Sequence, residues 1–278
     1  NGVRQGGILS PRLFNVFIDD LSILLNNSSV GCHLNNTSFN HLQYADDSVI
    51  LSPSPTGLQY LLDICQRYAT ENDMIYNPKK TVSMCIKFKG AKLDRIPSVY
   101  LNDRELEWTD TQKYLGVYIT NTLHDDCDIK RQVNYFYAKG NTLIRKFKRC
   151  TDSVKVQLFQ NYCSNMYCWQ LWVNYKASSY TRLRVSYNNI FRYLLNVRER
   201  CSISQLLLNN KVDGFSTLYR KLAYGLYSRV WKSENVIIST MINSMYFIYT
   251  SPFYKHLQKM LLAFLFIILF SKPNIVSL

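Results

Sequence analysis

The sequence predicts an α+β chain: an antiparallel sheet with packed helices over residues 1–123, followed by an all-helical region over 124–235. Three observations predict it. Two-residue alternation, as in Val82, Met84, Ile86 and Phe88 against Ser83, Cys85 and Lys87, occurs only before about residue 124. Helical periodicity, first seen in Leu13, Phe14, Phe17, Leu21, Leu24 and Leu25, alternates with those stretches and then takes over. Turn clusters such as Asn35-Asn36-Thr37 and Asn102-Asp103 separate short β-prone runs.

Each element follows from its local chemistry. Ser10-Pro11 reads as a helix start, with Ser10 as cap and Pro11 in the first turn, and the helix runs to about Asn26. Val30 to Leu34 and Phe39 to Tyr44 pair across the Asn-rich turn, and Val49-Ile50-Leu51 returns after Asp46-Asp47 as a second hairpin arm. Pro55 to Tyr76 is an amphipathic helix on Leu58, Leu61, Leu62, Cys65 and Tyr68, and Val82 to Phe88 a strand. Val99-Tyr100-Leu101 and Leu106 to Trp108 form a further hairpin, and Tyr114 to Ile119 a further strand, in which a bulge glycine is the plain reading of Gly116. Helices are expected near 126–149, 152–175, 180–196 and 213–232, with breaks at Asn209-Asn210 and Gly214. Residues 236–278 are an apolar tail without a predicted structure, and the 11-residue run Met260–Phe270 falls short of the ~20 residues that span a bilayer.

Composition narrows the function. The 278 residues are 47% hydrophobic and 19% charged, which suits a folded protein and excludes a disordered one. The formal charge of +14 is unevenly spread. Residues 1–78 carry three Arg against seven Asp and Glu, whereas the remainder holds 30 basic and 12 acidic residues. Such a split fits a metal-holding acidic site beside a surface for a polyanion. The eight cysteines show no C-x-x-C pair and the four histidines stand at no zinc-ligand interval, so the thiols read as free and the chain as intracellular, in nucleus or cytoplasm. Asn27-Ser28-Ser29 and Asn36-Thr37-Ser38 match glycosylation sequons by the accident of an Asn-rich loop.

Two motifs carry the chemistry. Gly2-Val3-Arg4-Gln5-Gly6-Gly7-Ile8-Leu9-Ser10-Pro11 leads into the first helix, and Tyr44-Ala45-Asp46-Asp47 follows one helix and one hairpin later. A Tyr-x-Asp-Asp tetrapeptide alone arises by chance in roughly one chain in forty of this length. The two in this order are far rarer. They resemble motifs B and C of the reverse transcriptase domain of non-LTR (LINE-type) retrotransposons. Asn77-Pro78-Lys79-Lys80-Thr81-Val82-Ser83-Met84 resembles motif D of that family, and Lys113-Tyr114-Leu115-Gly116-Val117 its motif E, the primer grip. Tyr187-Asn188-Asn189-Ile190-Phe191-Arg192 is similar, less specifically, to the region after the palm.

The resemblance implies a partial polymerase palm over 1–123 and a basic, thumb-like region over 124–235. It implies that the parent extends a DNA primer on an RNA template with deoxynucleoside triphosphates and two divalent ions, Mg²⁺ or else Mn²⁺. Asp46 and Asp47 would then be catalytic metal ligands, and Lys80 would serve the leaving pyrophosphate. Arg4, Gln5, Gly6 and Gly7 would meet template or nucleotide. Tyr44 and Ala45 would shape the turn under the primer end, and Tyr114, Leu115 and Gly116 would grip the primer. The motif A aspartate and the fingers are expected upstream, as a missing partner segment, so the chain alone is expected to polymerise little.

Plainer readings stand beside these. Asp46-Asp47 is otherwise a solvated turn, Gly6-Gly7 a glycine-rich approach to a helix, Lys80 a solvated lysine and Gly116 a strand glycine. Lys130, Arg131, Lys139, Arg145, Lys146, Lys148, Arg149 and Lys155, interleaved with Tyr135, Phe136, Tyr137 and Phe147, fit backbone phosphate contacts with stacking, or a charged helix face alone. The rival from another class is a catalytically inactive nucleic-acid-binding remnant of a retroelement. A chain too edge-exposed to remain stable and an intron maturase are further alternatives. No membrane partner and no organic cofactor beyond nucleotides are expected.

Overall fold

The computed structural model describes residues 6–77, 79–87, 95–164, 166–197, 201–244, 251 and 253–255. The chain divides into two compact units, Asn1–Asp110 with Glu234–Ser244, and Thr111–Ser233 with Met245–Leu278. The first division falls before the hairpin that begins at Thr111.

In the first unit, α1 (Ser10–Asn26) is followed by the hairpins β1 (Cys32–Leu34) with β2 (Thr37–Phe39) and β3 (His41–Tyr44) with β4 (Asp47–Ile50). Ser10 is the first helical residue rather than the cap. Leu9 occupies the cap position with no side-chain bond, and Pro11 sits in the first turn, where its missing N–H is harmless. Helix α2 (Pro55–Glu71) begins on Ser54, whose hydroxyl accepts the Gly57 N–H at 3.1 Å, and ends earlier than Tyr76 because Asp73 turns to a φ of 55°. Leu61, Cys65 and Tyr68 face Ile18, Leu21 and Leu25 of α1, and the Tyr68 hydroxyl donates to the Phe17 carbonyl at 2.6 Å. Leu58 and Leu62 instead meet Val99, Leu101 and Leu106 around the hairpin β5 (Tyr100–Leu101) with β6 (Arg104–Glu105). Helix α2 is therefore buried on two sides.

The strand expected over Val82 to Phe88 is not formed in the described part. One parallel bridge joins Ser83 to Trp108, with Ser83 N–H donating to the Glu107 carbonyl and Thr109 N–H to the Ser83 carbonyl, both at 2.8 Å. A lone bridge offers no ladder to propagate, so the alternation finds no second pairing partner. Helix α8 (Val236–Asn243), capped by the Asn235 side chain, also belongs to this unit, where Thr240 and Thr37 of β2 share a 3.0 Å hydrogen bond.

The second unit opens with β7 (Thr111–Tyr114) and β8 (Val117–Thr120), a hairpin where one strand was expected. Leu115 at φ 44° and Gly116 at φ 83° reverse the chain, since two successive positive φ angles make a tight hairpin turn rather than a bulge. Helices α3 (Asp126–Lys146), α4 (Asp152–Tyr162), α5 (Ala177–Leu194), α6 (Ile203–Asn209) and α7 (Phe215–Trp231) follow. Helix α4 stops at Tyr162, short of the expected 175, and the link to α5 contains Cys168 at φ 60° and a 3₁₀ turn, Trp169–Leu171.

Aromatic rings fill this core. Phe136, Phe159, Tyr187 and Phe191 stack between α3, α4 and α5, and Trp169 meets Phe215 and Tyr219 edge-on at 5.0 and 5.3 Å. Each buried ring of this kind removes ~150–250 Å² from water. Burial pushes the Cys65 thiol up to about 11 and Cys163 up to about 12, so both are protonated core residues, and all eight cysteines are free. Among the described residues no helix is long and apolar enough to cross a membrane. The run Met260–Phe270 lies outside the described residues.

Gly140 is the close-contact point of α3 against α5. A Cβ there would stand 2.5 Å from Cδ1 and 2.6 Å from Cγ2 of the fully buried Ile190. Gly140→Ala is expected to destabilise the chain by about 1–3 kcal/mol in urea denaturation, although alanine favours the helix by about 1 kcal/mol. Ile190→Val in the same chain should restore part of the loss.

Candidate metal and nucleic-acid site

The acidic pair sits at the tip of β3–β4. Tyr44 pairs with Asp47, leaving Ala45 and Asp46 as the two-residue turn, with Ala45 held at φ 50°. A positive φ strains any residue that carries a Cβ, and a small side chain keeps the tip open. Both carboxylates and the Tyr44 ring are exposed, and no Lys or Arg among the described residues forms an ion pair with Asp46 or Asp47. Two unpaired carboxylates are hard oxygen donors suited to a divalent cation. Among the described residues no group of three or more His, Cys, Asp or Glu converges.

The base of this hairpin is tied to α1 by Asn40, only 2% exposed. Its Nδ2 donates to the Leu25 carbonyl at 2.6 Å, the Val30 carbonyl at 2.7 Å and Ser28 Oγ at 3.2 Å, while Oδ1 lies 2.8 Å from His41 Nδ1. The Asn40 carbonyl accepts the Leu51 N–H at 2.7 Å, so one residue joins the helix end to both hairpin arms. Gly31 makes room for it, since a Cβ at 31 would lie 2.6 Å from that of Asn40. Nearer the tip, Ser22 of α1 donates to Gln43 Oε1 at 3.1 Å and Gln43 Nε2 to Ser48 Oγ at 3.4 Å.

The other expected site residues are distributed unevenly. Arg4 and Gln5 lie outside the described residues. Gly6 has φ 81° with nothing near the place of a Cβ, and the Gly7 carbonyl accepts the Ser10 N–H at 3.2 Å. Lys80 is exposed in a turn built by Asn77, whose carbonyl accepts the N–H groups of Lys80 and Thr81 at 3.1 Å each. It makes no ion pair with either aspartate. Tyr114, Leu115 and Gly116 form the tip of β7–β8 in the second unit.

Residues 1–119 match the family model described as reverse transcriptase (RNA-dependent DNA polymerase). Residues 1–119 are part of a reverse transcriptase domain. The chain is 33% identical over 133 residues to the Pol polyprotein of the type-2 retrotransposable element R2DM from Drosophila melanogaster, covering 46% of this chain and 12% of that protein. It is 30% identical over 128 residues to the Pol polyprotein of type-1 element R2 from Popillia japonica, covering 44% and 21%. It is 28% identical over 169 residues to the RNA-directed DNA polymerase from mobile element jockey of Drosophila melanogaster, covering 58% and 18%. The matched stretch therefore spans about a fifth or less of these relatives' own length.

After this reverse transcriptase segment, the basic residues sort by their surroundings. Arg145, Lys146, Lys148 and Arg149 are exposed around the C-terminal end of α3, where cations also complement the helix dipole. Lys139 lies over the rings of Tyr135 and Tyr162, 5.3 and 5.5 Å from their centroids, and both rings are about half exposed. Arg131 and Lys155 leave the surface set. Arg131 bonds Asp128 at 2.6 Å, and Lys155, 9% exposed, pairs with Asp152 at 3.3 Å. Of the interleaved aromatics, Phe136 is buried and Tyr137 and Phe147 pack on the core, so only Tyr135 faces outward. Sequence reasoning missed Asn40 and Tyr162. The one signal for Asn40 is an amide inside a β-prone run between Phe39 and His41.

Two outcomes follow from the hairpin's support. Asn40→Ala removes a buried donor from the Leu25 and Val30 carbonyls, which keep bonds from Ser28, and is expected to cost about 1–2 kcal/mol in chemical denaturation, whereas Asp46→Ala at the exposed tip should stay within about 0.5 kcal/mol. Burial lowers the His41 pKa below its ordinary 6.5, so the folded chain favours the neutral ring. The stability this contributes is complete above the ordinary pKa and is lost as pH falls through the folded value. Thermal midpoints should drop below about pH 6.5, and His41→Gln should flatten that portion of the profile.

Proposed function

We propose that this chain supplies the rear of the palm (1–123) and the thumb (124–235) of an RNA-directed DNA polymerase from a non-LTR retroelement, acting on an RNA template, a DNA primer and deoxynucleoside triphosphates. The observation that carries the reading is the exposed, unpaired Asp46-Asp47 turn within a segment matched as reverse transcriptase. Exposed apolar side chains on α1, among them Leu13, Val16 and Leu24, support a further segment of the polymerase covering that face.

Nucleotidyl transfer needs little covalent help from protein and much positioning and charge neutralisation. Asp46 and Asp47 would hold divalent cations, Mg²⁺ by the hardness of the donors, and such ions when bound neutralise the phosphates and favour ionisation of the primer hydroxyl. Ala45 keeps the tip low enough for a primer end, and Tyr44 offers a flat surface beside it. Gly6 and Gly7, with Arg4 and Gln5, would approach the template or nucleotide by backbone and side chain. Lys80, exposed in its turn, would meet the leaving pyrophosphate. Lys139, Arg145, Lys146, Lys148 and Arg149 would follow the duplex backbone without reading sequence.

The chain is expected to bind an RNA–DNA duplex with an affinity that falls steeply as salt rises. Replacing Arg145, Lys146, Lys148 and Arg149 together by alanine should reduce the magnitude of the log–log salt slope by about 3. In a parent protein that extends a primer, Asp46→Ala should lower extension about 10²–10³-fold without weakening duplex binding in EDTA. A salt-insensitive duplex affinity, or extension that survives Asp46→Ala, would overturn the reading.

A further inference from the structure

The turn Leu115-Gly116 is held from outside its own hairpin. Tyr167, in the irregular link between α4 and α5, donates its hydroxyl to the Leu115 carbonyl at 2.9 Å. Its ring lies so close over Gly116 that a Cβ there would stand 3.1 Å from ring carbon Cε1. The return strand is fixed by a second group. The Asp128 carboxylate, wholly buried, accepts the Tyr118 N–H at 3.1 Å, Arg131 Nε at 2.6 Å and Trp172 Nε1 at 2.9 Å. Tyr167 and Trp172 come from the same link, which Asp125 anchors in turn by accepting the Val173 and Asn174 N–H groups, both at 2.8 Å.

A two-stranded hairpin is marginal by itself, and Leu115 at φ 44° adopts a conformation unfavourable for a residue with a Cβ. The position of its tip is therefore set by what grips it. Tyr167 is 53% exposed although its hydroxyl and one ring face are engaged, which is more consistent with service at a surface tip than with core packing. We propose that Tyr167 is a positioning residue for the primer end, holding the Leu115-Gly116 turn in the one arrangement that receives the primer backbone. The inference rests on the polymerase reading of the tip and extends it to a residue beyond the matched segment. A displacement of an ångström at such a point is enough to impair a reacting geometry.

The test uses the full chain and a fluorescent DNA primer annealed to RNA with a recessed 3′ end, against a blunt duplex of equal length. Tyr167→Phe keeps the ring and loses the hydroxyl, and Tyr167→Ala loses both. Tyr167→Phe should reduce the preference for the recessed end about fivefold and quicken amide exchange at Gly116 and Val117 by a similar factor, with a larger effect for Tyr167→Ala. Blunt-duplex affinity and its salt slope should not change, because the basic residues of α3 are untouched. A Tyr167→Ala chain that keeps both the full preference and slow exchange would overturn the proposal. Quickened exchange with an unaltered preference would also overturn it, leaving a structural clamp alone. A wild-type chain with no duplex affinity at all would instead sink the polymerase reading, and the exchange data would still report whether Tyr167 grips the turn.

Discussion

Two-stranded hairpins do not stand alone in water, and the described strands of this chain form four of them with no larger sheet. Each is tied to a helix by a polar side chain. Asn40 binds β3–β4 to the end of α1, and Thr37 binds β1–β2 to α8. Gln59 of α2 exchanges two hydrogen bonds with the Tyr100 backbone, at 2.7 and 3.0 Å, and Asp128 of α3 receives the Tyr118 N–H. Such bonds add little individually, about 1 kcal/mol each, but a buried polar group left without its partner costs more. The geometry of both expected contact points, the Asp46 turn and the Leu115-Gly116 turn, depends on this arrangement.

The same arrangement explains how exposed, strained tips persist. Ala45 and Leu115 hold positive φ angles that cost about 1–2 kcal/mol each. The Asn40 amide ties the base of the first hairpin to the Leu25 and Val30 carbonyls, the Tyr167 hydroxyl holds the Leu115 carbonyl, and the aromatic core around Phe159 and Tyr187 supplies the rigid support of the second unit. Charge is arranged on a similar principle. The carboxylates at the Asp46 turn have no basic partner among the described residues, whereas Asp128 is satisfied by three donors and serves the fold.

Much of this was legible in the sequence. Tyr44-Ala45-Asp46-Asp47 announced a turn because β-prone runs flank it, and the helices of the second half announced themselves by apolar spacing. Boundaries were lost where backbone φ decides. Gly116 read as a bulge because nothing in the sequence shows that Leu115 also turns to a positive φ. The Val82 to Phe88 alternation read as a strand because periodicity cannot reveal the want of a pairing partner. Long-range holders were invisible: Asn40 reaches back to Leu25, and Tyr167 reaches Leu115, across separations that no local pattern records. Lys155 and Arg131 read as surface charge because sequence does not show which cations find a nearby aspartate and burial.

The proposal at the centre of the account is that the supported Asp46 turn receives a primer terminus. Photocrosslinking tests it most directly, with a DNA primer carrying 4-thiothymidine at its 3′ end, annealed to RNA and bound by the protein, followed by mapping of the joined peptides. The account predicts adducts within Tyr44–Asp47. Efficient adducts that map only to residues outside this turn would contradict it.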